Sequence, residues 1–325
     1  MSEVITLGEC LAAFVATTPG PLAEAVTFER HVAGAEANVA VGLARLGHSV
    51  TYIGRVGSDG FGSAIRRRLR GEGVDVDELI DDPDRPNGVM FRERRALGPI
   101  DVLYHRADSA GSRLSVDDVE RAAERGALDG ARWLHLTGIT PALSATARSA
   151  ALRARDLGRE AGLTISLDVN LRRRLWSDET AGPVLRELAA GVDVVFGSPD
   201  ELAVLAAEDA TREPAELAAA VASLGPTTIV AKLGAEGAVG FEAGGTVVEV
   251  AAIPMATAID PVGAGDAFCA GFIAGRLDGV DLETALRMGN ACGALAVAVA
   301  GDQAGLPDRA ELGRLLAAEG PDTLR

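Results

Sequence analysis

A chain of 325 residues, 48% hydrophobic but only 4% aromatic, holds enough Ala, Val and Leu for a substantial core, in one large α/β domain or two smaller ones. Its formal net charge of −16 leaves no general basic face for nucleic acid, so no nucleic-acid partner is expected. Cys10, Cys269 and Cys292 lack metal-ligand spacing, residues 1–30 carry no signal-type apolar block, and no apolar run spans a bilayer; a soluble cytoplasmic protein with buried thiols and no membrane partner is expected.

Val4–Leu7 is a short β-type run ending in Gly8-Glu9. Residues 11–33 show no clean period and are expected to be irregular, turning at Pro19-Gly20-Pro21. In Ala33–Gly47 the spacing of Val39, Leu43 and Leu46 predicts a helix closed by Gly47. Ser49–Gly57 reads as a strand, and Asp59 as the cap of a helix over Phe61–Arg70 ended by Gly71 or Gly73. Val89–Arg94 and Val102–His105 form a hairpin around Gly98-Pro99 with one exposed face.

After Ser109 the pattern changes. Apolar strands at Trp133–Thr137, Thr164–Asp168, Asp193–Phe196 and Thr227–Ala231 alternate with helices at Ala142–Ala161, Glu179–Leu188, Pro199–Ala206 and Ala215–Leu224. Such alternation predicts right-handed βαβ units and a parallel sheet covered on both faces. A second hairpin, Ala238–Phe241 with Thr246–Val250, precedes helices at Ala264–Arg276, Leu282–Val299 and Arg309–Glu319 and a tail at Pro321–Arg325. The expected fold is a doubly wound, mostly parallel α/β domain over residues 1–320, with a small β lid from about 11–33 and 86–108.

The stretch DPVGAGDAF, Asp260–Phe268, opens the apolar helix after the second hairpin. Gly263, Ala264 and Gly265 let an anion approach backbone N–H groups at the positive end of the helix dipole. Asp266 places a carboxylate beside that anion site, an arrangement that suits phosphoryl transfer to a hydroxyl; by themselves the same residues also read as a plain Gly-rich turn capped by Asp. Lys232 is the sole lysine and no Gly-Lys-Ser/Thr exists, which excludes a P-loop; Phe268 stands where a dinucleotide fingerprint needs its third glycine.

AGAEANVAVGLARLG at 33–47 with GRVGSDGFG at 54–62, and DPVGAGDAFCAGF at 260–272, resemble the paired signatures of the ribokinase-like (PfkB) carbohydrate kinases. The resemblance implies Asp266 as general base, Gly263–Gly265 as the anion hole, and ATP with Mg²⁺ as donor. LYHRADSAGSRL at 103–114, LHLTGITPALS at 134–144 and SLDVNLRRRLW at 166–176 are similar to the 2-keto-3-deoxygluconate kinase group. That likeness implies Tyr104 and Arg106 at the sugar acid and Arg172 near substrate and phosphate. Arg is the residue whose planar fork pairs both oxygens of a carboxylate.

By the same resemblance Gly34 and Asn38 lie at the sugar, where Asn38 either bonds hydroxyls or satisfies helix-start backbone, and Glu9 lies close to them. Ser198 and Glu201 match the element that positions Mg²⁺ and phosphates, Glu201 acting through water or phosphate. Lys232, Gly234 and Gly237 fall on the nucleotide side, with Asn290 and Gly293 lining the adenine. Asp260 and Val262 match a monovalent-cation (K⁺) site of some relatives. Met90 and Leu171 stand where that group often carries aromatics, which makes that side of the pocket apolar and bears on which sugar is taken. Fructokinase, 5-keto-2-deoxygluconate kinase, nucleoside kinase and a non-catalytic sugar-binding regulator are the alternatives. A lid with one apolar face implies a homodimer or larger homo-oligomer.

Overall fold

The computed structural model describes residues 2–95, 100–255 and 259–318. Two sheets organise it. Nine strands form the larger: β1 (Val4–Gly8), β4 (Val50–Gly57), β5 (Leu79–Asp82), β8 (Trp133–Thr137), β9 (Thr164–Asp168), β10 (Val194–Gly197), β11 (Thr228–Lys232), β12 (Gly237–Glu242) and β13 (Thr246–Ala251), in the order β13-β12-β11-β10-β9-β8-β1-β4-β5. Pairing is parallel from β11 to β5, and antiparallel only where β12 and β13 fold back at one edge. The smaller sheet holds β2 (Leu11–Pro19), β3 (Phe28–Ala33), β6 (Val89–Arg94) and β7 (Val102–His105), in the order β3-β2-β6-β7.

Helices cover both faces of the larger sheet, as the near-continuous burial of its parallel strands requires. On one face lie α1 (Ala35–Arg45), α2 (Gly60–Gly71), α9 (Ala264–Leu277), α10 (Leu282–Val297) and α11 (Arg309–Ala318). The other face carries α3 (Val116–Glu124), α5 (Ala145–Glu160), α6 (Asp178–Ala189), α7 (Pro199–Ala206) and α8 (Pro214–Ala222), with the short α4 (Ile139–Leu143) following β8. Asp59 caps α2 by accepting from the amides of Phe61 and Gly62, as expected.

The doubly wound architecture and both hairpins match the sequence reading. Residues 11–33 join the smaller sheet as the lid reading expects, but they are not irregular: they supply an inner strand, β2, and one edge, β3. The polar-apolar alternation that would reveal β2 is absent: LAAFVA is buried at five of six positions. Two further elements carried no usable signal. β5 is four residues long, and α3 announces itself only through a Ser115/Asp118 capping box. The predicted Gly98-Pro99 turn, the last residue of the final helix (Glu319) and the Pro321–Arg325 tail lie outside the described residues.

Packing between α1 and α9 positions the chemistry. A Cβ at Gly42 would fall 2.7 Å from that of Ala270, so these helices meet at the closeness only glycine permits. One turn toward each N-terminus sit Asn38 and Asp266, on the same helix faces as Gly42 and Ala270.

Candidate active site

A cavity of about 400 Å³ opens where β1, β8, β9, β10 and β11 end, the edge at which parallel α/β sheets place their ligands. The smaller sheet forms its opposite wall. Leu11 of β2, Ala33 of β3, Met90 and Arg92 of β6, and Val102 and Tyr104 of β7 face inward, as the two-residue period of a strand dictates. Thirteen residues singled out in the sequence line this one cavity: Glu9, Gly34, Asn38, Met90, Tyr104, Arg106, Arg172, Glu201, Lys232, Val262, Gly263, Gly265 and Asp266.

Asp266 is buried in the first turn of α9. One carboxylate oxygen accepts from Asn38 Nδ2 at 2.8 Å, the other from Asn170 Nδ2 at 3.3 Å. Gln303 Nε2 in turn donates to Asn38 Oδ1 at 3.2 Å, which fixes the amide that faces the carboxylate. Burial lifts the Asp266 carboxyl from its ordinary 3.8 to about 7. The Asn38 bond opposes that rise, neighbouring Asp168 adds to it, and Arg172 and Lys232 oppose it. A carboxylate that titrates near neutrality is matched to proton abstraction from an alcohol.

Beside Asp266 the N-cap of α9 is Gly263, at φ 83°, with no side chain capping the helix. A Cβ at Gly263 would meet the Asp302 carbonyl oxygen at 2.8 Å, and one at Gly265 would lie 3.4 Å from Lys232 Nζ. Uncapped amides, a bare backbone and an ammonium group therefore converge, which is the donor set a phosphate needs. Burial works against the charge on Lys232, yet Asp168, 2.7 Å away, raises its pKa above the ordinary lysine value. Of the three consecutive arginines, Arg173 pairs with Asp178 and Arg174 with Asp101, whereas Arg172 lines the cavity and makes no ion pair among the described residues.

At the other end Arg106 lies over the Tyr104 ring, 5.5 Å from its centroid. Its Nε and Nη2 donate to one oxygen of Glu9, at 2.8 and 2.5 Å, and Ser109 Oγ donates to the other. The Glu9 carboxylate is thus engaged by neighbours and orients Arg106. Gly34, at φ 141°, tolerates no side chain, since a Cβ would lie 2.4 Å from the Glu9 carbonyl oxygen. Met90 supplies an apolar wall together with Leu11, Ala13 and Ala33. Leu171, by contrast, is buried in the core cluster and does not line this cavity; it lines an adjoining one of about 650 Å³ together with Tyr104, Arg106 and Arg172.

Ser198, Asn290, Gly293, Gly234 and Gly237 stand back from the cavity. Ser198 caps α7 in a reciprocal box with Glu201. Glu201 accepts from the Ser198 and Leu171 amides, both at 2.8 Å, so its two oxygens tie the Asn170–Arg172 loop to the start of α7. Asn290 spends its amide on the carbonyls of Val250 and Ala251, at 3.2 and 3.1 Å, joining α10 to β13. Gly293 packs where a Cβ would come 3.3 Å from the Ala264 carbonyl oxygen, and Gly234 and Gly237 shape the turn between β11 and β12 at φ 61° and 115°.

Asp260 is bound on both oxygens by the guanidinium of Arg92, so its side chain does not present the free carboxylate that the expected K⁺ site requires. Sequence reasoning missed Arg92, Asn170 and Glu36. Glu36 lines the cavity while almost fully buried; burial raises its pKa, and Thr137 and Thr140 each donate to it at 2.6 Å. Asn170 had a local signal: an asparagine after a strand tolerates positive φ, here 42°.

An acid titrating near pH 7 against an anion cradle, at the carboxyl edge of a parallel sheet, defines a phosphotransferase acting on a small hydroxyl compound. The family model described as pfkB family carbohydrate kinase matches residues 1–309, and the chain belongs to that family. It is 40% identical over 323 residues to the 2-dehydro-3-deoxygluconokinase of Thermoproteus tenax, covering 98% of this chain and 95% of that one. To the 2-dehydro-3-deoxygluconokinase of Bacillus subtilis it is 38% identical over 319 residues, 98% and 96% of the two chains. Among solved structures, an E. coli protein provisionally named ribokinase II, in complex with ATP and Mg²⁺, superposes with a TM-score of 0.87 at 27% identity, covering 97% of this chain and 99% of that one.

Proposed function

We propose that this kinase transfers the γ-phosphate of ATP to the terminal hydroxyl of 2-keto-3-deoxygluconate, the 2-dehydro-3-deoxygluconate of its relatives' names. The observation that carries the reading is one cavity with a near-neutral carboxyl and anion cradle at one end and Arg106 at the other. With the sugar seated, Asp266 accepts the hydroxyl proton as that oxygen attacks in line. The Gly263–Gly265 amides, Lys232 and Arg172 meet the charge that spreads over the transferred phosphoryl oxygens. Arg106, oriented by Glu9 and stacked on Tyr104, faces the sugar's carboxylate, and Met90 packs against the deoxygenated carbon. Asn38 serves chiefly by orienting Asp266.

Mg²⁺ bound with the nucleotide neutralises phosphate charge. It would be carried mainly by the nucleotide's phosphates and by water, because Mg²⁺ dehydrates reluctantly. Glu201 acts on it indirectly, by holding the Asn170–Arg172 loop. The test is a coupled ADP assay over 2-keto-3-deoxygluconate, its galactonate epimer, 5-keto-2-deoxygluconate and fructose. The expected result is the highest kcat/KM for 2-keto-3-deoxygluconate; a neutral sugar in first place would overturn the sugar-acid reading.

The same reading places the protein in the cytoplasm, where ATP is plentiful, as a homodimer through the smaller sheet. The outer face of that sheet carries a half-buried cluster of Phe14, Phe28 and Phe91, with rings 5.3 and 5.7 Å apart. No helix among the described residues is long and apolar enough to cross a membrane.

A further inference from the structure

We infer that Arg92 is a built-in cation occupying the place where some relatives bind a monovalent metal ion, and that this enzyme's turnover is therefore independent of potassium. The inference deepens the kinase reading, on which its kinetic test rests.

Asp260 begins the loop that ends in the anion cradle and Asp266. Its carboxylate accepts four bonds: Arg92 Nη1 at 3.0 Å and the Val262 amide at 3.1 Å on Oδ1, Arg92 Nη2 at 2.6 Å and the Gly301 amide at 3.0 Å on Oδ2. An ionised carboxylate offers about four lone-pair sites. All are filled, so a metal ion would have to displace a guanidinium held in bidentate geometry.

Arg92 also faces a second acid. Its Nη2 lies 3.6 Å from Asp302 Oδ1, an oxygen without a hydrogen-bond partner among the described residues. Arg92 is 1% exposed, Asp260 6% and Asp302 5%. One cation therefore sits between two buried carboxylates that flank Gly263, with the Asp302 carbonyl packed against that glycine. Without a positive charge here the two acids repel and lose their counter-charge in a dry site, where an unpaired ion is strongly disfavoured. The segments carrying them would separate, and the cradle at the start of α9 would move with them. Arg92 is thus a positioning residue, and it differs from a dissociable ion in arriving on β6, beside Met90 on the same inward face.

The test begins with wild-type enzyme exchanged into tetramethylammonium buffer and returned to K⁺, Na⁺ or tetramethylammonium at equal ionic strength. Turnover in the three should agree within about twofold, and melting temperature should show no K⁺-specific rise, because an ion that does not bind the native state cannot stabilise it. A K⁺-specific increase in either would overturn the inference. Arg92→Met should lose about 100-fold in kcat, with a smaller change in sugar KM, and recover about tenfold in K⁺ but not in tetramethylammonium, since a displaced cradle costs rate through misplacement. Arg92→Lys should retain intermediate turnover without added K⁺. A folded Arg92→Met enzyme that no cation rescues would leave Arg92 a purely structural part and overturn the inference. If that variant fails to fold, the wild-type melting comparison and Arg92→Lys decide. If the wild type phosphorylates no sugar, the kinase reading fails, while the melting comparison still decides the ion question.

Discussion

Asp266 is held in a conflict that defines its use. Burial raises its pKa to about 7, and the Asn38 amide pulls it down. In the proposed role of base it works only when ionised, so kcat/KM for the sugar should fall about tenfold per pH unit below an apparent pKa near 7. A flat profile from pH 5 to 8 would remove Asp266 from that role. Asp266→Asn should reduce kcat by roughly 10²- to 10⁴-fold while calorimetry shows the sugar still binding. The same variant carries a stability signature. The folded protein holds this proton more tightly than the unfolded chain, so the contribution is fully present below pH 4 and is lost as pH rises through about 7. Asp266→Asn should therefore raise the melting temperature at pH 8 and lose that advantage toward pH 4. The gain is bounded by about 4 kcal/mol for a shift of this size.

Between elements, the crossing of α1 and α9 does what neither helix signals alone. Gly42 and Ala270 allow the close approach that sets Asn38 against Asp266. Gly42→Ala adds one methyl group where 2.7 Å is available, so the helices must part by a few tenths of an ångström or more. The expected result is a lower kcat with the acid limb of the pH profile displaced upward, because the lost Asn38 bond is one that holds the pKa down. A lower rate with an unmoved limb would mean that Asn38 does not tune the base. Glycine in a sequence marks where backbone can come close, but not what approaches it, and this decided what was legible. The α9 start could be read because its donors, glycines and carboxylate are contiguous. Parallel strands could be read because burial on both faces makes them continuous apolar runs. The Arg92–Asp260 pair joins residues 168 apart, and nothing near either announces the other. β2 was hidden because its inward residues are Leu and Ala beside outward ones, Ala12, Phe14 and Ala16, that are also apolar. Asn290 and Ser198 fell in the right motifs but are spent on backbone, which only the position of β13 and the start of α7 reveals.

At the scale of the molecule, two sheets close on one cavity, and few buried contacts govern how they do so. The larger sheet brings Asp266 and the Gly263–Gly265 turn; the smaller brings Met90, Tyr104 and the Arg92 cation. Its strands β6 and β7 sit at the far side of β2 from β3, so β7 is an edge whose inward side chains meet the cavity directly. A substrate whose carboxylate engages Arg106 and whose hydroxyl reaches Asp266 would contact both sheets at once. Substrate would then strengthen the link between them, and edge amides that open locally in the free protein should open less often. Hydrogen exchange at Val89–Arg94 and Val102–His105 should slow by about tenfold with sugar acid and a non-hydrolysable ATP analogue, and by less with the nucleotide alone. Strands β8 to β11, buried in the larger sheet, should change little under the same conditions. Equal slowing in both sheets would point to global stabilisation by ligand binding, and unchanged exchange in β6 and β7 would mean that the smaller sheet is a fixed wall and not a closing lid.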